Sequence, residues 1–169
     1  MSDDERNVLL AAAVGLREQG RPEDARERLL ELAVRRPDDA EVAYQTAWAH
    51  DVLGLEAEAV PHYRRALAAT GAAGLTEEDR RGALLGLGST FRTLGRYEEA
   101  VATLRGAVEE FPADGALRTF LAMALYNTGD HHESTRLLLT LLATTSDDPS
   151  VQRYRRAIEH YAEDLDATE

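Results

Sequence analysis

Residues 82–112 read GALLGLGSTFRTLGRYEEAVATLRGAVEEFP, and this stretch predicts two short helices joined by a tight turn. Leu84, Leu87 and Phe91 recur at the spacing of one face of a helix. Gly95 is expected to end that helix, because glycine adopts the left-handed conformation at little steric cost. The second helix has an apolar side formed by Tyr97, Ala100, Val101, Leu104, Ala107 and Val108. One hairpin cannot bury both of its apolar faces, so further helices must cover them.

The same pattern recurs along the chain at a nearly constant interval. Glycines expected to end the first helix of each hairpin lie 34, 41 and 34 residues apart, at Gly20, Gly54, Gly95 and Gly129. Small residues keep these separations, at Ala13, Ala47, Gly88 and Ala122 and again at Ala25, Ala59, Ala100 and Ser134. We expect them at the closest helix contacts, with Gly88 against Ala100 in the third hairpin. The longer middle interval indicates an insertion.

A 34-residue period, with small residues at the helix contacts and proline at the end of a unit, is typical of tetratricopeptide repeats. The sequence therefore resembles the tetratricopeptide-repeat family over nearly its full length. The resemblance implies an all-α fold, a right-handed superhelical solenoid of about four helix-turn-helix hairpins plus a C-terminal capping helix. It also implies a non-catalytic scaffold or adaptor that binds a peptide or helix of a partner protein in its concave groove.

The repeats are expected to form one domain. Its predicted parts are a first repeat at 1–37, a second at 38–71, an inserted loop or helix extension at 72–78, a third repeat at 79–112, a fourth at 113–147, and a C-terminal capping helix and tail at 148–169. The last helix is expected to turn one apolar stripe inward, formed by Val151, Tyr154, Ile158, Tyr161 and Leu165.

Several helix starts carry recognisable capping residues. Capping boxes are predicted at Ser2 with Glu5 and at Asp130 with Glu133. A further helix start is predicted at Asp38 with Glu41. Thr76 and Asp148 are predicted to cap the helices that follow them. Pro61 lies beyond the first turn of its helix, where it removes a backbone hydrogen bond and is expected to bend or delay that helix.

Composition excludes several classes of function. The chain has 31 acidic and 19 basic residues and a net charge of −12, which argues against a nucleic-acid partner. It has no cysteine, which excludes disulfides, thiolate metal sites and a cysteine nucleophile. The first residues are acidic where a signal peptide is basic, and no apolar run is long enough to span a membrane. We therefore expect a cytoplasmic protein without a membrane partner.

No motif indicates catalysis, a cofactor or a metal. The glycines of the segment 86–90 lie inside a helical period, and a phosphate-binding loop would require a lysine, which this chain lacks. His131 and His132 are adjacent, so they point to different faces of a helix, whereas zinc motifs prefer wider spacings and a third ligand. We predict no catalytic residue, no cofactor and no metal site.

The candidate binding site is the concave groove. In the family, the first helix of each hairpin lines the inner curve, and the groove positions implied here are Leu10, Val14, Arg17, Tyr44, Trp48, Asp51, Leu85, Ser89, Arg92, Thr119, Met123, Tyr126 and Asn127. Aromatic side chains and arginine are enriched in binding hot spots. Trp48 and Tyr44 supply apolar area and Asp51 a carboxylate, so the expected partner is a protein or peptide with apolar and basic residues.

Other uses of the same surface stay open. Family members that receive chaperone tails hold a carboxylate with a Lys/Asn/Arg clamp, which is disfavoured here because the chain has no lysine. The alternative function is structural self-association, for example as a homodimer. A ligand-binding regulator or an enzyme that uses the groove is a further alternative. The C-terminal helix could also fill the groove itself.

Overall fold

The computed structural model describes residues 1–166, apart from the side chain of Ala72, and the described chain is helical without strands. Its helices are α1 (Asp3–Glu18), α2 (Pro22–Arg35), α3 (Ala40–Val52), α4 (Glu56–Ala68), α5 (Glu77–Thr93), α6 (Tyr97–Glu110), α7 (Gly115–Thr128), α8 (His131–Thr145), α9 (Pro149–Arg153) and α10 (Arg155–Glu163). A 3-10 turn, Gly71–Ala73, lies between α4 and α5. The predicted all-α class is confirmed.

The helices form two compact units, Met1–Gly95 and the chain from Arg96 onward. In the first unit, each helix from α1 to α5 packs on the next, and α3 also contacts α1 and α5. In the second unit, α7 packs on both α6 and α8, while α10 packs on α8. Short turns join α1 to α2, α3 to α4 and α7 to α8, and the two helices of each pair pack on each other, so these pairs are hairpins of the predicted kind.

Glycine ends the first helix of each hairpin, as the spacing predicts. Gly20, Gly54, Gly95 and Gly129 have φ angles of 76°, 70°, 72° and 91°. Residues with a Cβ rarely adopt these angles, so glycine lets the chain reverse directly after each helix.

The small residues with the same spacing are buried. Their side chains are inaccessible to solvent at Ala13, Ala25, Ala47, Ala59, Ala100 and Ala122. Ser134 takes the corresponding place in α8, where its Oγ donates a hydrogen bond to the carbonyl of Ala122 at 2.7 Å. A polar residue is tolerated there because the carbonyl of the facing helix satisfies its hydroxyl group. Contact between Gly88 and Ala100 stays a prediction.

Most of the predicted helix starts are confirmed, and one is displaced. Ser2 Oγ accepts a hydrogen bond from the Glu5 amide, Thr76 Oγ1 from the Asp79 amide, and Asp148 caps α9. The start predicted at Asp38 is wrong by one residue. The side chain of Asp39 caps α3 instead, by accepting from the Val42 amide at 3.1 Å.

The first predicted capping box is wrong at Glu5, and the second is wrong at both Asp130 and Glu133. The Glu5 carboxylate accepts a hydrogen bond from Arg35 at 2.6 Å. Glu133 accepts two from Arg105, at 2.7 and 2.9 Å, and Asp130 makes no capping bond with its side chain. Charge-assisted bonds to a guanidinium are stronger than bonds to a backbone amide, and arginines of neighbouring helices lie within reach.

The insertion is divided between a loop and a helix. After the 3-10 turn, α5 begins at Glu77 and runs for 17 residues, whereas α3 has 13. The extra residues therefore add about one helical turn to the start of α5. Pro61 lies inside α4, which already begins at Glu56. The expected delay of that helix is therefore wrong.

The C-terminal segment is broken where one helix is expected. Tyr154 separates α9 from α10, with φ −103° and ψ 9°. The predicted stripe is wrong at Tyr154, Tyr161 and Leu165, which are 57%, 58% and 38% exposed, while Ala162 is fully buried. The break shifts the phase of the second helix, so a different side chain faces α8.

A pair of imidazole rings lies between α3 and α4. His50 is buried and its Nδ1 donates to the Thr46 carbonyl at 2.7 Å. The ring of His62 stacks on it, with centroids 5.1 Å apart. Burial, aided by the nearby His50 and Arg65, lowers the pKa of His62 from 6.5 to about 4. The folded protein therefore holds this ring in its neutral form at pH values where an unfolded chain would protonate it.

Stability should fall as the pH is lowered from 6.5 to about 4. In that interval the unfolded chain binds a proton at His62 that the folded chain excludes, so the free energy of unfolding should drop by about 1–3 kcal/mol. Urea unfolding at several pH values measures this dependence. His62→Phe keeps a stacking ring that does not titrate, and its curve should be flatter by the same amount. Parallel curves for the two proteins would contradict the assignment.

Candidate functional site

Trp48 is the exposed member of an otherwise buried helix segment. In α3, every residue of 42–50 except Trp48 is buried, whereas the Trp48 side chain is 41% exposed. A large aromatic ring at such a position costs hydrophobic stabilisation unless something covers it. It is the natural centre of the candidate site in the first unit.

Two neighbouring side chains hold the Trp48 ring in place. The guanidinium carbon of Arg17 lies 3.7 Å from the ring centroid, a cation–π contact. Tyr44, one turn earlier on α3, stacks on Trp48 with centroids 5.8 Å apart. Arg17 Nη1 also donates to Gln45 Oε1 at 2.7 Å, which ties α1 to α3. The indole is therefore preorganised before any partner arrives.

Tyr44, which stacks on Trp48, and Tyr63, which contacts Tyr44, occupy space that glycines leave free. A Cβ atom on Gly86 would lie 2.6 Å from Cζ of Tyr63, and one on Gly82 would lie 3.1 Å from Cζ of Tyr44. Burial raises the pKa of Tyr44 to about 12, and burial together with Asp51 raises the pKa of Tyr63 further. Both hydroxyl groups therefore stay protonated at neutral pH.

Asp51 is bonded within the fold. Tyr63 donates its hydroxyl to Asp51 Oδ2 at 2.6 Å, and Thr90 Oγ1 lies 2.8 and 2.9 Å from the two carboxylate oxygens. Burial raises the pKa of Asp51, while these hydrogen bonds oppose the shift. The carboxylate joins α3, α4 and α5 and fixes the floor of the site.

The remaining predicted groove residues of the first unit differ in exposure. Leu10 is buried in a cluster with Ala13 and Leu29, and Tyr44 is buried as well. Half-buried positions are Val14, Arg17, Asp51, Leu85, Ser89 and Arg92. The exposed part of the predicted surface is therefore narrower than the sequence indicates, and it is centred on Trp48.

The second unit carries the rest of the predicted residues on α7. Met123, Tyr126 and Asn127 are exposed, and Thr119 is half-buried. Thr119 Oγ1 donates to the Gly115 carbonyl at 2.7 Å, so its hydroxyl group is already used. The Tyr126 ring lies 4.8 Å from the ring of His131.

Sequence reasoning missed the residues that support the site. Tyr63, Gln45 and Thr90 hold the side chains around Trp48, but none was among the predicted groove positions. A signal for one of them was present: Gly82, Gly86 and Thr90 are spaced four apart on α5. That spacing places three small residues on one helix face, where side chains of another helix fit.

One cluster has ligand types suited to a metal. Atoms of His132, Asp164 and Asp166 lie within 4.8 Å of one another, and all three side chains are exposed. Exposed acidic groups of this kind are common without a metal, and within residues 1–166 no buried side chain bonds any of these three. Among the described residues, no helix is both long and apolar enough to cross a membrane.

Comparisons with known proteins agree with the helical-repeat architecture. The model of a family described as "Tetratrico peptide repeat" matches residues 40–165. A solved structure of MamA from Desulfovibrio magneticus RS-1 is similar, with 18% identity, a TM-score of 0.68, and coverage of 97% of this chain and 98% of that chain. PilF of Pseudomonas aeruginosa has 19% identity, a TM-score of 0.69, and coverage of 96% and 75%. At these identities the likeness shows the fold alone. No curated protein matches the sequence.

The glycine pocket for Tyr63 can be tested by adding one methyl group. Gly86→Ala should force the buried Tyr63 ring away from α5 and lower the free energy of unfolding by about 1–3 kcal/mol. Gly106→Ala is the matched control, because a Cβ atom there has no neighbour within 4 Å. It should stabilise α6 by about 0.5–1 kcal/mol, the ordinary gain of alanine over glycine in a helix. Chemical denaturation measures the free energy of unfolding of both variants. Equal changes would show that Tyr63 does not need the space left by Gly86.

Proposed function

Since this chain belongs to the tetratricopeptide-repeat family, whose model covers residues 40–165, we propose that it is a non-catalytic scaffold whose groove binds a segment of a partner protein. The family generally mediates interactions between proteins and is generally non-catalytic. The surface that we assign to this role in the first unit is formed by the exposed sides of α1, α3 and α5 around Trp48, and we call it the Trp48 face.

The observation that carries this proposal is the exposure of Trp48. The folded chain keeps a single tryptophan, and holds its ring partly in solvent on a helix that is otherwise buried there. Tryptophan is strongly enriched among residues that dominate binding energy, because its flat ring buries a large area at little entropic cost. Covering the ring with an apolar side chain of a partner would recover the hydrophobic stabilisation lost by exposure.

Rigidity supports the same function. Arg17 and Tyr44 hold the indole from two sides, and Asp51 is bonded to α4 and α5 through Tyr63 and Thr90. A partner that meets a preformed surface loses less free energy in ordering side chains. Because Asp51 is already engaged, it is less available to a basic residue of the partner than the sequence suggests. We expected a partner with apolar and basic residues. The apolar residue is therefore better supported than the basic one.

Self-association is the second candidate function, and a separate observation favours it. In the second unit, α8 exposes Leu138 and Leu142, and Tyr161 of α10 is exposed as well. Leu138 and Leu142 are four residues apart on α8, so they share one helix face, and exposed apolar patches of this kind are typical of interaction sites. Light scattering across a range of protein concentrations distinguishes this possibility, since a stable dimer at low concentration would favour it. The cytoplasmic location stays a prediction.

Replacing the tryptophan should weaken partner binding while the fold survives. Trp48→Ala is expected to weaken the complex by about 2 kcal/mol or more, roughly 30-fold in affinity, because the anchor of the surface is lost. The measurement is quantitative affinity capture from a lysate of the source cells, followed by titration of the captured partner.

Val52→Ala is the matched control for this test. Val52 is an apolar residue near the end of the same helix and is 52% exposed, but it is not among the predicted groove positions. Partners should be retained by the wild type and by Val52→Ala but released from Trp48→Ala. Circular dichroism must show the same helix content in all three proteins. If Trp48→Ala unfolds the chain, the indole is structural and the proposal loses its anchor.

A further inference from the structure

Arginines in the first unit usually face a carboxylate. The ion pairs are Arg6 with Asp39 and Glu41, Arg21 with Asp24, Arg28 with Glu31, Arg35 with Glu5, Arg36 with Asp3, and Arg81 with Glu77. This is expected of a chain with 31 acidic and 19 basic residues, because most cations have an acidic side chain within reach. Three half-buried arginines of this unit, Arg17, Arg26 and Arg92, have no such ion pair among residues 1–166, and two of them, Arg17 and Arg92, lie at predicted groove positions.

Arg17 is one such arginine. It is half-buried over Trp48, and its hydrogen bond goes to the neutral amide oxygen of Gln45. Burial lowers its pKa, and it forms no ion pair within the described chain. Its guanidinium has five N–H donors, of which one is used in this bond. The remaining donors can hold an anion that arrives from outside.

Arg92 is the second half-buried groove arginine without a carboxylate partner among residues 1–166. It lies near the end of α5, is half-buried, and its Nε atom is buried without a hydrogen-bond partner. The Nε atom cannot be reached from solvent, so a bound acceptor would have to use the Nη atoms of this guanidinium. Both arginines therefore lack the carboxylate partner that arginines such as Arg6 and Arg36 of this unit have.

The two arginines lie on helices that flank Trp48. Arg17 belongs to α1 and Arg92 to α5, and α3, which carries Trp48, contacts both helices. Asp51 of α3 is the acidic groove residue between them, but Tyr63 and Thr90 engage its carboxylate. The fold therefore places Arg17 against the exposed ring of Trp48, and Arg92 at a predicted groove position of a helix that contacts α3.

We propose that the Trp48 face binds an acidic segment of a partner protein, with carboxylates on Arg17 and Arg92 and an apolar side chain against Trp48. This inference rests on the proposed function and names the chemistry of its partner. Packed helices lie about 8–10 Å apart, so two helix steps are about 16–20 Å, which about five or six extended residues span. The segment should therefore carry acidic residues on both sides of its apolar anchor.

The acidic net charge of the protein does not prevent this interaction. Charges farther away than about 8–10 Å are largely screened at physiological salt. A carboxylate in contact with a half-buried guanidinium is much less affected, because the pair is shielded from solvent. The net charge of −12 should slow the approach of an acidic segment, so association should become faster as salt is added.

The test is a selection from a displayed library of random peptides about 12 residues long, which covers the expected span. Wild type, Trp48→Ala, Arg17→Gln, Arg92→Gln and Arg65→Gln are immobilised in parallel. Arg65 is the matched control, because it is an exposed arginine of α4 in the same unit. Peptides retained by the wild type but not by Trp48→Ala should be enriched in Asp and Glu near an apolar residue. Arg17→Gln and Arg92→Gln should lose this acidic preference, and Arg65→Gln should keep it.

A second measurement does not depend on the stability of any protein variant. The best acidic peptide is synthesised together with versions in which each Asp or Glu is replaced by Asn or Gln. Binding is followed through the fluorescence of Trp48, the one tryptophan of the chain. Loss of a carboxylate that meets an arginine should weaken binding about 10- to 100-fold. Amide versions that bind as well as the acidic peptide would overturn the inference.

The outcomes separate this inference from the proposed function. If the peptides that depend on Trp48 are neutral or basic, the acidic partner is rejected and the binding face is retained. If wild type and Trp48→Ala retain the same peptides, both proposals fail. Acidic peptides that lose affinity for Arg17→Gln or Arg92→Gln, but not for Arg65→Gln, support the assignment of the two arginines.

Discussion

Close approach of helix backbones is the constraint on which the rest of the structure depends. Alanine or serine occupies the contact positions of successive hairpins, and these side chains are buried. Small contact residues provide little apolar area, so larger side chains must supply it between hairpins. Tyr44 and Tyr63 fill that role in the first unit, and the ring of Trp48 is left at the surface next to them. The candidate site is therefore a consequence of close helix packing, which leaves the Trp48 ring exposed beside the tyrosines.

Ion pairs between helices are a second constraint on the structure. Acidic residues exceed basic ones, and many arginines bridge neighbouring helices, as Arg6 does to Asp39 and Arg105 to Glu133. Exposed pairs of this type add little stability singly, but they determine which carboxylates remain unsatisfied. Carboxylates that the backbone could have used as caps are drawn to arginine instead. Arg17 is half-buried and has no carboxylate partner among residues 1–166, so most of its N–H donors remain available to a bound acceptor.

Features that depend on the local chain were predictable from the sequence, and features that depend on distant partners were not. Gly20 and Gly129 end helices because of a conformational preference of the residue itself, so spacing was sufficient. The roles of Glu5 and Glu133 were wrong because Arg35 and Arg105, far along the chain, compete with the local cap. The candidate site shows the same difference. Trp48 was predicted as a groove residue from the sequence, but its contact with Arg17 depends on how α1 packs on α3.

The fit of Tyr63 against Gly86 has a consequence for how such a chain can evolve. Helical-repeat proteins lengthen when a unit is duplicated, which requires each unit to fit against a copy of itself. In the place of Tyr63 the other hairpins have Leu29, Leu104 and Leu138, and in the place of Gly86 the second hairpin has Gln45. A duplicate of the second hairpin would present Gln45 to the Tyr63 ring, where the existing junction has a glycine. The second and third hairpins are therefore a matched pair, to be inherited or exchanged together.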